Sequence, residues 1–292
     1  MEYRDYYNGQ AITVDKYLSL FSLSKSKINI LINNNCVYVN DLPATLNTII
    51  YRNDDIRIDY ELIDDAKNLD VNNLVTNQKL NVLYEDAYLM IVDKPANMLI
   101  YDLDNQNNIT LDILVAKYYI ENSINAKVRH VHRLDKETTG CVVYAKDPLT
   151  HSSLSKMVED NTLSREYIGI CEGNFENESG EIEANIGRDR HNAKKMIASK
   201  TGKYALTQYF VLKNNHKSCV VKFILKTGRT HQIRVHTSYF NHPLIGDKLY
   251  NKKVYNKKRC LLHSSCVKFI HPVTNKEIVV NSSLPKDMVG YL

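Results

Sequence analysis

Residues 129–146 read RHVHRLDKETTGCVVYAK, and the pattern of the chain changes inside them. Arg129, His130, His132 and Arg133 form a basic cluster, Asp135 follows, and Thr138-Thr139-Gly140 supplies turn chemistry ahead of an apolar run. That run, CVVYAK, reads as a strand. Downstream of Cys141 the segments REYIGICEG, ALTQYFVLKN, CVVKFILKT, HQIRVHTSYF and CVKFIHP also read as strands, and HSSLSKMVED as a helix packed on them. Upstream, LNVLYEDAYLMIVDKPANML gives two short strands around a Glu85-Asp86 turn. A helix is expected over 110–121, with Thr110 as its cap and Leu111, Leu114 and Val115 inward. Residues 80–292 are therefore expected to form an α+β domain with a large mixed or antiparallel sheet and flanking helices.

A small α+β module is expected ahead of it, over 12–60. Val14, Tyr17, Leu18 and Phe21 keep a helical period, and Ser24 caps a second helix with Ile28, Leu31 and Ile32 on its apolar side. CVYVN and DDIRIDY then read as short strands about an NDLPA turn. Residues 61–79, ELIDDAKNLDVNNLVTNQK, are acidic and Asn-rich without a sustained period, as in a linker.

A chain of 292 residues is long enough for one large domain and one small one, and 43% apolar residues is ordinary for a globular protein. No apolar run is long enough to span a membrane, and the start MEYRDYYNGQ lacks the apolar core of a signal peptide. A cytoplasmic monomer without a membrane partner is expected. The six cysteines, at 36, 141, 171, 219, 260 and 266, contain no CxxC spacing, which favours reduced buried thiols over a metal site.

Charge is divided unevenly. Residues 1–184 carry 17 Lys and Arg against 29 Asp and Glu, a balance of −12, whereas residues 185–292 carry 21 against 4, a balance of +17. So concentrated a surplus builds a field that attracts a polyanion.

Three constellations carry candidate chemistry. A carboxylate such as Asp135 in a loop is most often an Asx turn or a cap. Here Arg129 and Arg133 stand close enough in sequence to keep it ionised, and the Gly-ended turn can aim it rigidly. The second is LKTGRTHQIRVHTSYFNHPLIGDKLY, residues 225–250, with Arg229, His231, Arg234 and His236 around a Thr227-Gly228 turn. Read as a strand, it puts His231 and His236 on opposite faces, which argues against a metal site. An Arg in the turn pairing with a buried acid, beside side chains that grip phosphate, is the better reading. The third is Ser164-Arg165-Glu166-Tyr167, where Tyr167 is either core packing or a stacking platform for a flat substrate.

HRLDKETTG, SREYIG and TGRTHQIRVH, in this order, resemble the three signature motifs of the RluA-like RNA pseudouridine synthases, the large-subunit ribosomal type. YEDAYLMIVDKPANM, TGKYALTQYFVL, HPLIGDKLY and LLHSSCVKFIHP extend the resemblance over about residues 80–286. It implies Asp135 as catalytic Asp, Tyr167 as active-site Tyr, Arg229 as the Arg that pairs with the Asp, and Arg133 as the Arg that fills the space of a flipped base. Arg234 falls among the phosphate-gripping residues. Thr139 stands where Ser is commoner, and Met98–Asp102, MLIYD, lacks the His-Pro of relatives. Residues 12–60 resemble the S4 RNA-binding module through Ser24-Lys25-Ser26 and Val39-Asn40-Asp41, with Asp41 in place of Gly. Lys16, Lys25 and Lys27 would then line a helical face against RNA.

The implied reaction breaks the N1–C1′ bond of uridine, turns the uracil and rejoins it through C5. No group is lost and nothing is oxidised, so no cofactor is expected. Structured RNA is the implied partner, ribosomal in the first instance and transfer RNA as the alternative. A catalytically silent RNA-binding protein is the competing class, and a nuclease fits poorly because one acid among bases makes a poor magnesium cage.

Overall fold

The computed structural model describes residues 1–66, 69, 71, 76–102, 109–253 and 255–292. Its centre is a nine-stranded sheet. From edge to edge the order is Ser179–Glu183, Leu206–Asn214, Ser218–Leu225, Ser164–Glu172, Leu262–Ile270, Thr139–Ala145, Leu89–Lys94 and Val82–Glu85, with Glu277–Asn281 also paired to Leu262–Ile270. Every pairing is antiparallel except that of Leu262–Ile270 with Thr139–Ala145, so the sheet is mixed.

All seven residues of Thr139–Ala145 are buried, as an unbroken apolar run requires. Val142 and Tyr144 join a core that includes Leu111, Leu114 and Val115 of the helix Leu111–Glu121. Cys141, Val143 and Ala145 face the other way, onto Leu154 of the helix Pro148–Glu159. Thr110 and Asp147 cap these helices by accepting backbone N–H bonds. Gly140 takes φ +107°, and a Cβ there would stand 2.1 Å from Ser264 O, so only glycine lets the parallel neighbours close. Thr139–Ala145 is thus the strand at which the sheet changes from antiparallel to parallel pairing.

One expected strand is a helix. HQIRVHTSYF forms Gln232–Tyr239, packed against the sheet with Ile233 and Val235 buried. Asn241, left-handed at φ 63°, and Pro243 just beyond it give the stop signal that an alternating reading overlooks.

In the N-terminal module the helices Val14–Leu20 and Lys25–Asn33 begin at Thr13 and Ser24, whose side chains accept N–H bonds from Lys16 and Lys27. They pack on a four-stranded sheet ordered Glu2–Tyr6, Asp55–Asp59, Val37–Val39 and Leu42–Pro43. The first strand lies ahead of residue 12 and places Tyr3 in the core. That core continues through Tyr60 and Ile63 and includes Leu149 of the helix Pro148–Glu159. The stretch expected as a linker opens with a 3-10 turn, Glu61–Ile63, after which the Asp64 side chain, 1% exposed, pairs with Arg129 at 2.5 Å and Lys127 at 3.1 Å. Removing one partner of such a buried pair costs roughly 3–5 kcal/mol, whereas solvent screens an exposed pair such as Lys156–Glu159. Within the expected linker, residues 67, 68, 70 and 72–75 lie outside the described residues.

All six cysteines are buried and unbridged. Among the described residues no helix is long and apolar enough to cross a membrane.

Candidate active site

The turn that presents Asp135 is held from several elements. Thr138 N–H donates to Asp135 O at 3.1 Å. Lys94, fully buried at the end of its strand, donates from Nζ to Pro95 O, Met98 O and Lys136 O at 2.9, 2.8 and 3.0 Å. Burial pushes this ammonium down to about 7, opposed by the negative charge of Asp135. Cys260 N–H donates to Glu137 Oε2 at 2.7 Å, and Arg259, paired with Asp287, donates to Glu137 O at 3.3 Å. Thr139 Oγ1 bonds His263 Nδ1 at 2.9 Å, a role that needs the hydroxyl common to Ser and Thr.

The cation on the Asp135 carboxylate is Arg234. Its Nη1 lies 3.1 Å from Asp135 Oδ2, and its Nε and Nη2 make 2.7 and 2.8 Å bonds to the two oxygens of Asp247. Asp247 is 0% exposed and also accepts from the N–H groups of Leu249 and Tyr250. Burial works against the Arg234 charge, but the bonds and field of Asp247 outweigh it and raise its pKa. His231, one helical turn from Arg234, places Nε2 3.8 Å from the same Asp135 oxygen. Its Nδ1 is 2.8 Å from the Tyr250 hydroxyl, which accepts from Met196 N–H. Burial lowers the His231 pKa despite the opposing charge of Asp135.

Arg229 does not pair with Asp135. It is exposed, and its Nε donates to Tyr204 O at 2.9 Å. Gln232 explains why: its Oε1 accepts from Thr227 Oγ1 and Arg229 N, while its Nε2 donates to Leu206 O and Thr207 Oγ1. The turn is thus closed with Arg229 outward, and the helix that follows brings Arg234 inward. Arg234, expected on phosphate, is therefore the residue on the carboxylate. His236 is a buried structural histidine bonded to Thr207 Oγ1 and Ala184 O.

Asp135 opens on a cavity of about 480 Å³. Leu134, Tyr167, Leu225, Ile233 and Leu262 form its apolar side. Tyr167 follows a register shift between Glu166 and Tyr167, a bulge of the kind that re-aims a side chain. It is buried, and burial pushes its phenol above the ordinary value, so it presents a neutral ring rather than a phenolate base. At the mouth, exposed Arg133 reaches Tyr101 OH at 3.1 Å and Thr230 Oγ1 at 2.9 Å. Tyr101, from the MLIYD segment, stacks on His130 at 5.1 Å and 5°.

In the N-terminal module Lys16 and Lys25 are exposed. Lys27 instead bonds Ile63 O at 3.2 Å and Asp65 at 2.7 Å, so its charge is used against the start of the linker.

Sequence reasoning gave no role to Lys94, Arg165, His231 or Asp247. Asp247 was visible inside HPLIGDKLY, and reading 232–239 as a helix would have put His231 and Arg234 on one side.

Comparison with known proteins identifies the family of the chain. The sequence pattern described as RNA pseudouridylate synthase matches residues 88–239. An uncharacterized RNA pseudouridine synthase of Bacillus subtilis is 40% identical over 212 residues, covering 72% of this chain and 70% of that protein. The ribosomal large subunit pseudouridine synthase D of Blochmanniella floridana is 33% identical over 288 residues, covering 91% and 88%. Among solved structures, human RNA pseudouridylate synthase domain containing 4 superposes with a TM-score of 0.61 at 23% identity, over 73% of this chain and 91% of that one.

Proposed function

The chain belongs to the RNA pseudouridylate synthase family, with its RluA-like members, and on that premise we propose that it isomerises uridines of large-subunit ribosomal RNA with Asp135 as the reacting carboxylate. Conversion of uridine in RNA to pseudouridine is the activity of the family. The observation that carries the assignment to Asp135 is its geometry: a carboxylate 26% exposed, 3.1 Å from Arg234, opening on the cavity that Tyr167 lines.

The carboxylate acts beside C1′ and C2′ of the target ribose, either by attacking C1′ or by taking the C2′ proton to leave a glycal-like sugar. Arg234 holds and aims it through a 3.1 Å bond, and Asp247, paired through two bonds, stops Arg234 from swinging away. The Tyr167 ring stacks on the uracil and holds it while it turns. A stacked uridine must leave its helix to enter, at a cost on the order of a few kcal/mol. Arg133, at the mouth, releases Tyr101 and Thr230 and fills the vacated stack with its planar guanidinium.

The ribosomal target rests on relatives named ribosomal large subunit pseudouridine synthase D. Mapping pseudouridines across total RNA from cells with and without the gene should show loss at one or a few large-subunit ribosomal positions. Loss from transfer RNA alone would reassign the substrate.

We read the N-terminal module as S4-like and as an aid to RNA positioning, with residues 80–292 as the catalytic domain. Replacing Lys16 and Lys25 together with Ala is expected to weaken RNA binding by less than about tenfold and to reduce the salt dependence by about one to two powers of salt concentration. The single-turnover rate at saturating RNA should stay unchanged. A salt slope identical to that of the wild type would remove these lysines from the interface.

A further inference from the structure

Arg165 lies in the strand Ser164–Glu172, two residues before Tyr167, and lines the same cavity as Asp135. It is 5% exposed, yet Nε and Nη2 are buried with no hydrogen-bond partner among the described residues. The two acids that share the cavity do not pair with it: Asp135 faces Arg234, and Glu159 pairs with Lys156 at the rim. Its Nη1 end lies against the turn at Gly228, where an added Cβ would come within 3.3 Å. An uncompensated buried guanidinium is costly, and a protein that keeps one at a reaction centre has a use for it.

Two further cavity groups are buried and unpartnered among the described residues: His132 Nδ1 and Asn161 Oδ1. His132 Nε2 accepts from Val143 N–H at 3.3 Å, and burial, then the charge of Arg165, push the ring down to about 3. The neutral ring therefore carries its proton on Nδ1, as a donor. The unpartnered set is thus two donor groups, Arg165 and His132, and one acceptor, Asn161. Uracil offers the complement, two carbonyl acceptors and the N3–H donor. A phosphate offers acceptors only.

We propose that Arg165 is a catalytic residue that binds the uracil through its carbonyl oxygens and stabilises it as the detached anion. This rests on the reading of the cavity as the uridine site. When the C1′–N1 bond breaks, its electron pair goes to N1 and spreads to O2 and O4. The sugar is balanced either by a new bond from Asp135 to C1′ or by loss of the C2′ proton to Asp135. The base then carries one negative charge until C5 bonds to C1′, as the Asp135–C1′ bond breaks or Asp135 returns its proton to C2′; the C5 proton is then lost and N1 is protonated. Arg165 remains protonated throughout and acts by charge and hydrogen bonding alone. A guanidinium already fixed beside the base needs no reorganisation when the charge appears.

The test compares single-turnover consumption of uridine and of 5-fluorouridine at the target position, in RNA that the wild-type enzyme converts. Fluorine withdraws charge from the ring, so its anion needs less help. Arg165→Met should slow the uridine reaction about a hundredfold at saturating RNA, the scale of losing one fixed donor to a developing anion. RNA affinity should stay within about threefold, and the deficit should shrink roughly tenfold for the fluorinated base. Arg165→Lys, which keeps the charge, should recover part of the rate, and it carries the same comparison if Arg165→Met does not fold. An equal deficit on both bases would reduce Arg165 to a packing role and overturn the proposal. Weakened affinity and a smaller salt slope with an unchanged saturated rate would place Arg165 on phosphate, and would overturn it too. Because wild-type conversion is established first, neither outcome can arise from a wrong reading of the reaction.

Discussion

Asp135→Asn is expected to slow single-turnover conversion by at least about a thousandfold, the scale on which enzymes lose rate when the reacting group itself is removed. An amide can neither attack C1′ nor take a proton from C2′. The variant should fold as the wild type does, because Asn keeps the shape and Arg234 remains held by Asp247 through two bonds. RNA affinity should remain within a few-fold, since phosphate contacts dominate it. Conversion above a few percent of the wild-type rate would show that another group performs the chemistry.

The second large effect is at Arg234. Arg234→Met leaves the Asp247 carboxylate, 0% exposed, without its counter-charge and Asp135 without its nearest cation. Stranding one buried charge costs roughly 3–5 kcal/mol. In a protein of this size that lowers Tm by about 10 °C. Activity should fall with it, and the pair variant Arg234→Met with Asp247→Leu separates the two causes. An apolar pair of similar volume commonly replaces a buried ion pair without loss of stability. The pair variant should therefore recover Tm and remain inactive, because Asp135 is still uncompanioned. Arg229→Ala, which removes an exposed side chain bonded to Tyr204 O, should shift Tm by about 1–2 °C at most and leave chemistry within a few-fold. Inactivation by Arg229→Ala with a competent Arg234→Met would return the pairing role to Arg229.

Much of this site is legible from local signals. Thr110 and Ser24 announce helix starts because a short side-chain oxygen can accept an N–H bond left free in the first turn. The apolar run after Gly140 announces a strand, and all seven residues of Thr139–Ala145 are buried. Asp135 stands out because its neighbours in sequence are turn formers and bases. The alternation of HQIRVH misleads, since Ile233 and Val235 satisfy a period of two and the stop signal at Asn241 and Pro243 lies outside the run.

By itself the sequence determined the α+β class, the strand that ends the Asp135 turn, the three motifs and the charge surplus of residues 185–292. These are properties of neighbours along the chain, set by backbone sterics, side-chain period and composition. Which cation meets Asp135 was decided only in three dimensions. Arg229 and Arg234 are equally basic, and the choice depends on Gln232 closing the turn and on a helix, rather than a strand, carrying Arg234 to a carboxylate 99 residues earlier. The two Arg165 guanidinium nitrogens without a partner among the described residues, the burial of Asp247 and the capture of Lys27 by Asp65 have the same origin. Whether a charge is paired, stranded or solvated is set by what the folded chain packs around it, and no stretch of sequence contains that information locally.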